Sequence, residues 1–147
     1  MSKYKFNINA FISLIELIVV LPYSFLYFVF FVRNAFERFR YYRIGAYFEI
    51  TFILLTFTGL VLFINYLEKV FVKSIRTRTT SLNIYKVFGT TLLAFTLLFV
   101  FMQDLFLGEV LGRNMNFEDY KKFCIYGIVR FVLFWGLFKL NKLSIKS

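Results

Sequence analysis

The chain has 147 residues, of which 60% are hydrophobic and 23% aromatic, and its formal net charge is +10. A soluble domain of this size has too little interior to bury so much apolar surface, so the composition favours a lipid environment. The basic residues lie between long apolar runs and not in a separate basic segment, which argues against nucleic-acid binding and favours contact with anionic lipid headgroups.

The first predicted helix covers residues 11–32 and contains Pro22, which we expect to bend it. Its polar residues repeat at helical spacing and form a stripe on one face. The members of this stripe are Asn9, Ser13, Glu16, Tyr23 and Tyr27. A polar stripe avoids lipid, so it packs inside the bundle, docks another subunit or lines water. Docking and packing are favoured, since Val20 interrupts the stripe.

The second predicted helix covers residues 44–67, after a connection of arginines and aromatic residues that suits the headgroup layer. Four small or polar residues share one face of this helix, which is typical of helix–helix contact in membranes. These residues are Gly45, Glu49, Thr56 and Gly59.

The third and fourth predicted helices cover residues 87–107 and 117–140, with charged connections at 68–86 and 108–122. Asn116 followed by Asp119 resembles a capping box, so the fourth helix is predicted to begin near Phe117. The predicted fold is therefore all-α: a single transmembrane domain, built as an integral membrane four-helix bundle.

Four ionisable residues fall within the predicted spans, namely Glu16, Glu49, Asp104 and Arg130. An unpaired charge at mid-bilayer costs about 2.5–3.5 kcal/mol or more, so we expect these residues to be paired. Helical rise places Arg130 nearest in depth to Glu49, with Asp104 as second choice. Glu16 lies near the other side and is expected to contact Lys139 or a partner subunit. The cluster is interpreted either as an ion pathway or as a structural ion pair that fixes packing, and the second interpretation is favoured.

Catalytic chemistry has little support in this sequence. There is no histidine, which excludes His-ligated metals, His-ligated haem and His general bases, and the one cysteine, Cys124, cannot form an internal disulfide. A glycine-rich phosphate loop and a nucleophile beside a base are also missing. We therefore expect no enzyme activity, no catalytic residues, no metal and no cofactor, with structural phospholipids as ligands.

The topology follows from the number of spans and the distribution of basic residues. Four spans place both termini on one side, where the terminal segments and the second connection hold ten basic residues against seven on the other side. The positive-inside rule then predicts termini on the matrix or cytoplasmic side, although the arginine-rich first connection argues the other way.

Three functions fit this pattern. The first is a non-catalytic subunit of a bioenergetic complex, such as the respiratory chain or ATP synthase, because the residue usage suggests an AT-rich genome such as a mitochondrial one. Its partners would be other membrane subunits, in the mitochondrial or bacterial inner membrane. The second is a self-assembling ion channel or transporter. The third is a small bacterial membrane effector or regulator.

Overall fold

The computed structural model describes residues 7–40, 43–77, 81–110 and 116–146, and the regular structure in these ranges is helical throughout. A π-helical turn, Phe28–Val32, joins the first two helices without a break, so together they form one long rod, the first rod. The α-helices are α1 (Ile8–Tyr27), α2 (Arg33–Phe39), α3 (Arg43–Arg76), α4 (Ile84–Val110) and α5 (Phe117–Lys146).

The first rod, α3, α4 and α5 are each long and apolar enough to cross a membrane. The predicted all-α fold with four spanning helices is therefore confirmed. The helices are longer than predicted, because the predicted bounds stopped where the apolar runs stop. Residues 33–39, 68–76 and 141–146 continue as helix, since charged and aromatic side chains can occupy the headgroup layer without breaking backbone hydrogen bonds.

Asparagine begins three of these helices and supplies the acceptor that a free helix N-terminus needs. Asn7 accepts from the backbone of Asn9 at 3.0 Å, and Asn83 accepts from the backbone of Tyr85 at 2.9 Å. At the start of α5, the Asn116 side chain accepts from the backbone of Asp119 while the Asp119 side chain accepts from the backbone of Asn116. The predicted capping box is confirmed.

The four rods form a bundle in which α1 packs on α3, α3 packs on α5, and α5 packs on α4. Contacts between α1 and α4 are sparser, which leaves an opening on that side. The larger of two apolar cores in the described part runs through the bundle, and its buried members include Val20, Leu60, Phe63 and Leu137. Large apolar side chains also cover the outside, as expected of a surface that faces lipid. The most exposed of these are Phe117, Phe131, Phe25 and Leu55.

The first and last described residues meet at one end of the bundle, here called the termini end. Asn7 and Asn9 donate to the backbone carbonyls of Thr77 and Ser81 in the α3–α4 connection. Asn83, in the same connection, donates to the carbonyl of Ser144 near the end of α5 at 3.0 Å. These bonds place both described termini on one side of the bundle, and α2 and α4 end on the opposite side.

Candidate functional site

A charged cluster, the Glu16 cluster, lies inside the bundle towards the termini end. The Lys86 ammonium contacts the Glu16 carboxylate at 2.6 Å and donates to the Asn141 side-chain oxygen at 3.2 Å. Thr90 donates to the other Glu16 oxygen at 2.8 Å. Glu16, Lys86 and Asn141 are each at most 2% exposed, so a neutralised ion pair joins α1, α4 and α5 in the interior.

This cluster corrects the predicted partner of Glu16. Glu16 pairs with Lys86 and not with Lys139, whose ammonium lies 4.6 Å from the centroid of the Trp135 ring. Lys86 was assigned to a connection because it precedes the apolar run, but α4 begins at Ile84 and includes it. Its flexible four-carbon stem then carries the charge along the bundle interior to Glu16.

A second cluster, the Arg130 cluster, lies farther from the termini end than the Glu16 cluster and joins all four rods. The Arg130 guanidinium pairs with Asp104, donates to the Gln103 side-chain oxygen at 3.1 Å and donates to the Thr56 hydroxyl at 2.6 Å. The Tyr27 hydroxyl donates to the second oxygen of Asp104. A fork of fixed N–H groups suits this multiple recognition, which a lysine could not reproduce.

The predicted pair between Arg130 and Glu49 is wrong, and its second choice, Asp104, is the observed partner. Depth had been counted from Phe123, whereas α5 begins at Phe117. Arg130 therefore lies thirteen residues, about 20 Å, from the start of its helix, while Glu49 lies only six residues, about 9 Å, from the start of α3.

Glu49 pairs with Arg38, at 3.2 Å, which links α2 to α3 near the opposite end. The Arg38 side chain is 35% exposed and the Glu49 side chain 6%, so the pair extends from the interior to the surface. Within the described part of the chain, the second oxygen of Glu49 and the side-chain nitrogen of Gln103 are buried without a hydrogen-bond partner. Such atoms are uncommon in folded proteins.

The polar stripe on α1 faces the bundle interior. Asn9, Ser13, Glu16 and Tyr27 are buried, and Val20 is buried among them. Tyr23, which is half-buried, donates to the backbone carbonyl of Leu97 on α4 at 2.8 Å.

The predicted packing face on α3 also lies against other rods. Thr56 is buried in the Arg130 cluster, and a side chain built at Gly59 would meet the Phe134 ring at 3.5 Å, an ordinary contact. The surroundings of Gly45, the remaining member of the predicted face, lie outside the described part.

An apolar belt separates the two charged clusters. Glu16 and Tyr27 are eleven residues apart on α1, which corresponds to about 16 Å along the bundle. The belt fills this interval with buried apolar side chains, and the two buried hydroxyls beside them, of Ser24 and Thr96, donate to carbonyls of their own helices. Its members are Val20, Leu60, Phe63, Leu93, Leu97 and Leu137. Among the described residues, the belt thus leaves the two clusters as separate units, each with its own ion pair.

Several members of these clusters are not among the residues predicted from the sequence, namely Arg38, Lys86, Thr90, Gln103 and Asn141. Helical spacing carries a signal for some of them. Lys86 and Asp104 are eighteen residues apart, which is five full helical turns, and Arg130 and Asn141 are eleven apart, about three turns. In each pair, the missed residue (Lys86 or Asn141) therefore lies on the same helix face as a residue that was predicted (Asp104 or Arg130).

Four apolar spans around buried, mutually neutralised charges define an integral membrane protein of the helical-bundle class. No protein-family model, curated protein or solved structure matches the chain. Within the ranges that the structure describes, no three Asp, Glu or Cys side chains converge into a metal-binding group. The charged clusters and the surface of the bundle are therefore the features that bear on function.

Proposed function

We propose that the chain is a non-catalytic, membrane-embedded subunit of a larger assembly. The observation that carries this proposal is the separation of two neutralised charge clusters by the apolar belt. Buried ion pairs that are satisfied by neighbouring side chains specify how helices pack, and a closed interior leaves the outer surface as the part available for interaction. The partners in this proposal are other membrane subunits and anionic lipid headgroups.

The finer form of the proposal is a bioenergetic complex of the respiratory-chain or ATP-synthase kind, in the mitochondrial or bacterial inner membrane. Residue usage typical of AT-rich genomes supports it, since Phe, Tyr, Ile, Asn and Lys are abundant. Both termini would lie on the matrix or cytoplasmic side, in line with the excess of basic residues at the termini end. In this role the chain contributes packing and bound phospholipid, and it supplies no catalytic residue or cofactor ligand.

Purification from the native membrane in a mild detergent tests this proposal. A tagged chain is expected to co-purify with a fixed set of membrane proteins in constant ratio, and the same tag on an unrelated four-span protein of similar abundance serves as control. A chain that elutes as a monomer, with no protein enriched over the control, would contradict the proposal.

A second candidate is a self-assembling channel or transporter. The unpartnered buried atoms of Glu49 and Gln103 favour it, because buried polar atoms of this kind are usually served by water, and the Arg38–Glu49 pair leads from them to the surface. Water could then enter the bundle at the end where Arg38 and Glu49 lie, although the apolar belt closes the half of the bundle towards the termini end.

Proton flux into liposomes separates the two candidates. The subunit proposal expects the purified wild-type chain to match empty liposomes, and Glu16→Gln to change nothing. A channel requires a leak above that background which Glu16→Gln reduces.

A further inference from the structure

A lateral groove of about 620 Å³ opens between the first rod and α4, on the side where these rods make their fewest contacts. The part nearer the headgroup layer is called the shallow part. The part nearer the middle of the membrane, here called the deep part, is apolar and aromatic and is formed by Leu26, Val29, Phe30 and Phe101. These four side chains are 40–63% exposed and open sideways, towards the region that lipid chains occupy. The groove is therefore accessible from the membrane and not from the bundle interior.

The walls of the deep part offer aromatic surface and few hydrogen-bonding groups. Tyr23 and Tyr27 line the groove, but both hydroxyls are turned inward, towards the Leu97 carbonyl and the Asp104 carboxylate. The π-helical turn Phe28–Val32 lies beside them and supplies two phenylalanines to the groove wall, Phe31, which is buried in the core behind it, and Phe30, which is exposed. A hydrocarbon chain fits such a wall, whereas a polar ligand would lose its hydrogen bonds there.

The shallow part of the groove is polar and rich in arginine. Arg33, Asn34 and Glu37 line its mouth, and Arg33 and Glu37 also line an adjoining depression with Arg40. The Arg33–Glu37 pair is highly exposed, so it contributes little and leaves the guanidinium available to an incoming anion. Arginine is well suited to phosphate because its planar fork can donate two parallel hydrogen bonds.

The distance from the apolar to the polar part matches one leaflet of a bilayer. Tyr23 and Arg33 are ten residues apart on a continuous helical rod, or about 15 Å. The hydrocarbon core of a bilayer is about 30 Å thick, so each leaflet contributes about 15 Å. A lipid with its phosphate at Arg33 would thus reach mid-bilayer at Tyr23.

We propose that this groove is a binding site for one anionic phospholipid, whose phosphate is held by Arg33 and Arg40 and whose acyl chain lies along Leu26, Phe30 and Phe101. Structural phospholipids were expected in general terms, and this site specifies which residues bind one, in which leaflet it lies and that its headgroup is anionic. It does not depend on the subunit role, because the isolated chain is expected to bind the lipid.

Native mass spectrometry of the delipidated full-length chain tests the headgroup, with phosphatidylglycerol and phosphatidylcholine as probes. One phosphatidylglycerol is expected to bind preferentially, and Arg33→Gln/Arg40→Gln is expected to weaken it roughly tenfold to thirtyfold. Both arginines are exposed, so the variant should keep the helical circular dichroism of the wild type. The matched control is Lys121→Gln/Lys122→Gln, which removes two exposed charges at the same end of the bundle but on α5. Equal losses in both variants, no loss in the arginine variant, or equal binding of the two lipids would overturn the proposal.

Photo-crosslinking tests the position of the chain. A phosphatidylglycerol with a diazirine near the end of one acyl chain is expected to label Tyr23, Leu26 and Phe101 more strongly than Ile128 and Phe131, which are exposed on α5. Uniform labelling of both surfaces would overturn the proposal. So would a disulfide between two copies of a Leu26→Cys/Cys124→Ser variant in membranes, since it would show that a second chain occupies the groove.

Discussion

Three nitrogen atoms of Arg130 donate hydrogen bonds to three different side chains. These bonds explain how a charged side chain that is only 4% exposed is tolerated inside the bundle. Burying an ion costs several kcal/mol, and a partner charge repays this only when the remaining donors and acceptors are also satisfied. Gln103, Thr56 and Asp104 take the three donors, while Phe52 places its ring 5.2 Å from the guanidinium carbon. Tyr27 completes the arrangement by donating to Asp104.

The Tyr27 hydroxyl can be removed without changing the shape of the side chain. Tyr27→Phe leaves one oxygen of the buried Asp104 with a donor fewer, so we expect a loss of about 1–2 kcal/mol in the free energy of unfolding. Unfolding in mixed micelles of dodecylmaltoside and sodium dodecyl sulfate, followed by circular dichroism, measures it. Tyr47→Phe is the control, because Tyr47 is 60% exposed, and it should change little. Equal effects of the two variants would contradict the role given to Tyr27.

Which residues are buried together on one helix could be predicted, and which helices face each other could not. The stripe on α1 and the face on α3 follow from 100° per residue, a local property of the helix, so Glu16, Tyr27 and Thr56 were identified. The pairing of Arg130 with Asp104 depends on where α5 begins and on its packing against α4, which no single segment encodes. Lys86 was missed for the same reason, since its charge hid the start of α4.

At the scale of the elements, α1 and α5 carry their cluster residues at the same spacing. Glu16 and Tyr27 are eleven residues apart, as are Arg130 and Asn141. Eleven residues complete about three helical turns, so each helix presents both residues on one face and at the same separation. Because α1 and α5 run in opposite directions, Glu16 meets the level of Asn141 and Tyr27 meets the level of Arg130. The equal spacing on α1 and α5 therefore produces two polar layers, one at the Glu16 cluster and one at the Arg130 cluster.

Close contact between α3 and α5 depends on small residues, and Gly59 gives a test of it. A methyl group at this position would lie 3.5 Å from the Phe134 ring, which is a normal contact. We therefore expect Gly59→Ala to be neutral or to stabilise by up to about 1 kcal/mol, through its better helix propensity.

The larger variant at the same position should behave in the opposite way. Gly59→Leu extends beyond the ordinary contact and should force α3 and α5 apart, at a cost of about 1–3 kcal/mol. The mixed-micelle unfolding assay measures both variants. A loss of more than about 1 kcal/mol in Gly59→Ala, or none in Gly59→Leu, would show that this contact is placed wrongly.

At the scale of the whole molecule, four apolar rods expose large hydrophobic side chains around the bundle and concentrate their charge in two buried layers and at both ends. This distribution is the reverse of that in a soluble protein, and it needs lipid around it. The number and approximate position of the spans could be predicted because hydrocarbon imposes a length on each apolar run. The helix ends could not, since headgroup-layer residues are compatible with helix and loop alike.

The bundle also makes a prediction about membrane topology. In a Cys124→Ser background, single cysteines at Ile8 and Lys146, which are both exposed, should react with a membrane-impermeant maleimide from the same side, and one at Asn116 should react from the other side. The structure requires this pattern because the described termini meet the α3–α4 connection at one end. Opposite labelling of the cysteines at Ile8 and Lys146 would rule out the four-span bundle.

The buried charges hold the four rods together by neutralising each other, and a double-mutant cycle on Arg130 and Asp104 tests this claim most directly. Each single variant, Arg130→Met or Asp104→Leu, leaves an unpaired buried charge and should lose about 3–5 kcal/mol in the mixed-micelle assay. The double variant removes both charges and should recover most of that loss. Single losses that simply add in the double variant would contradict the claim.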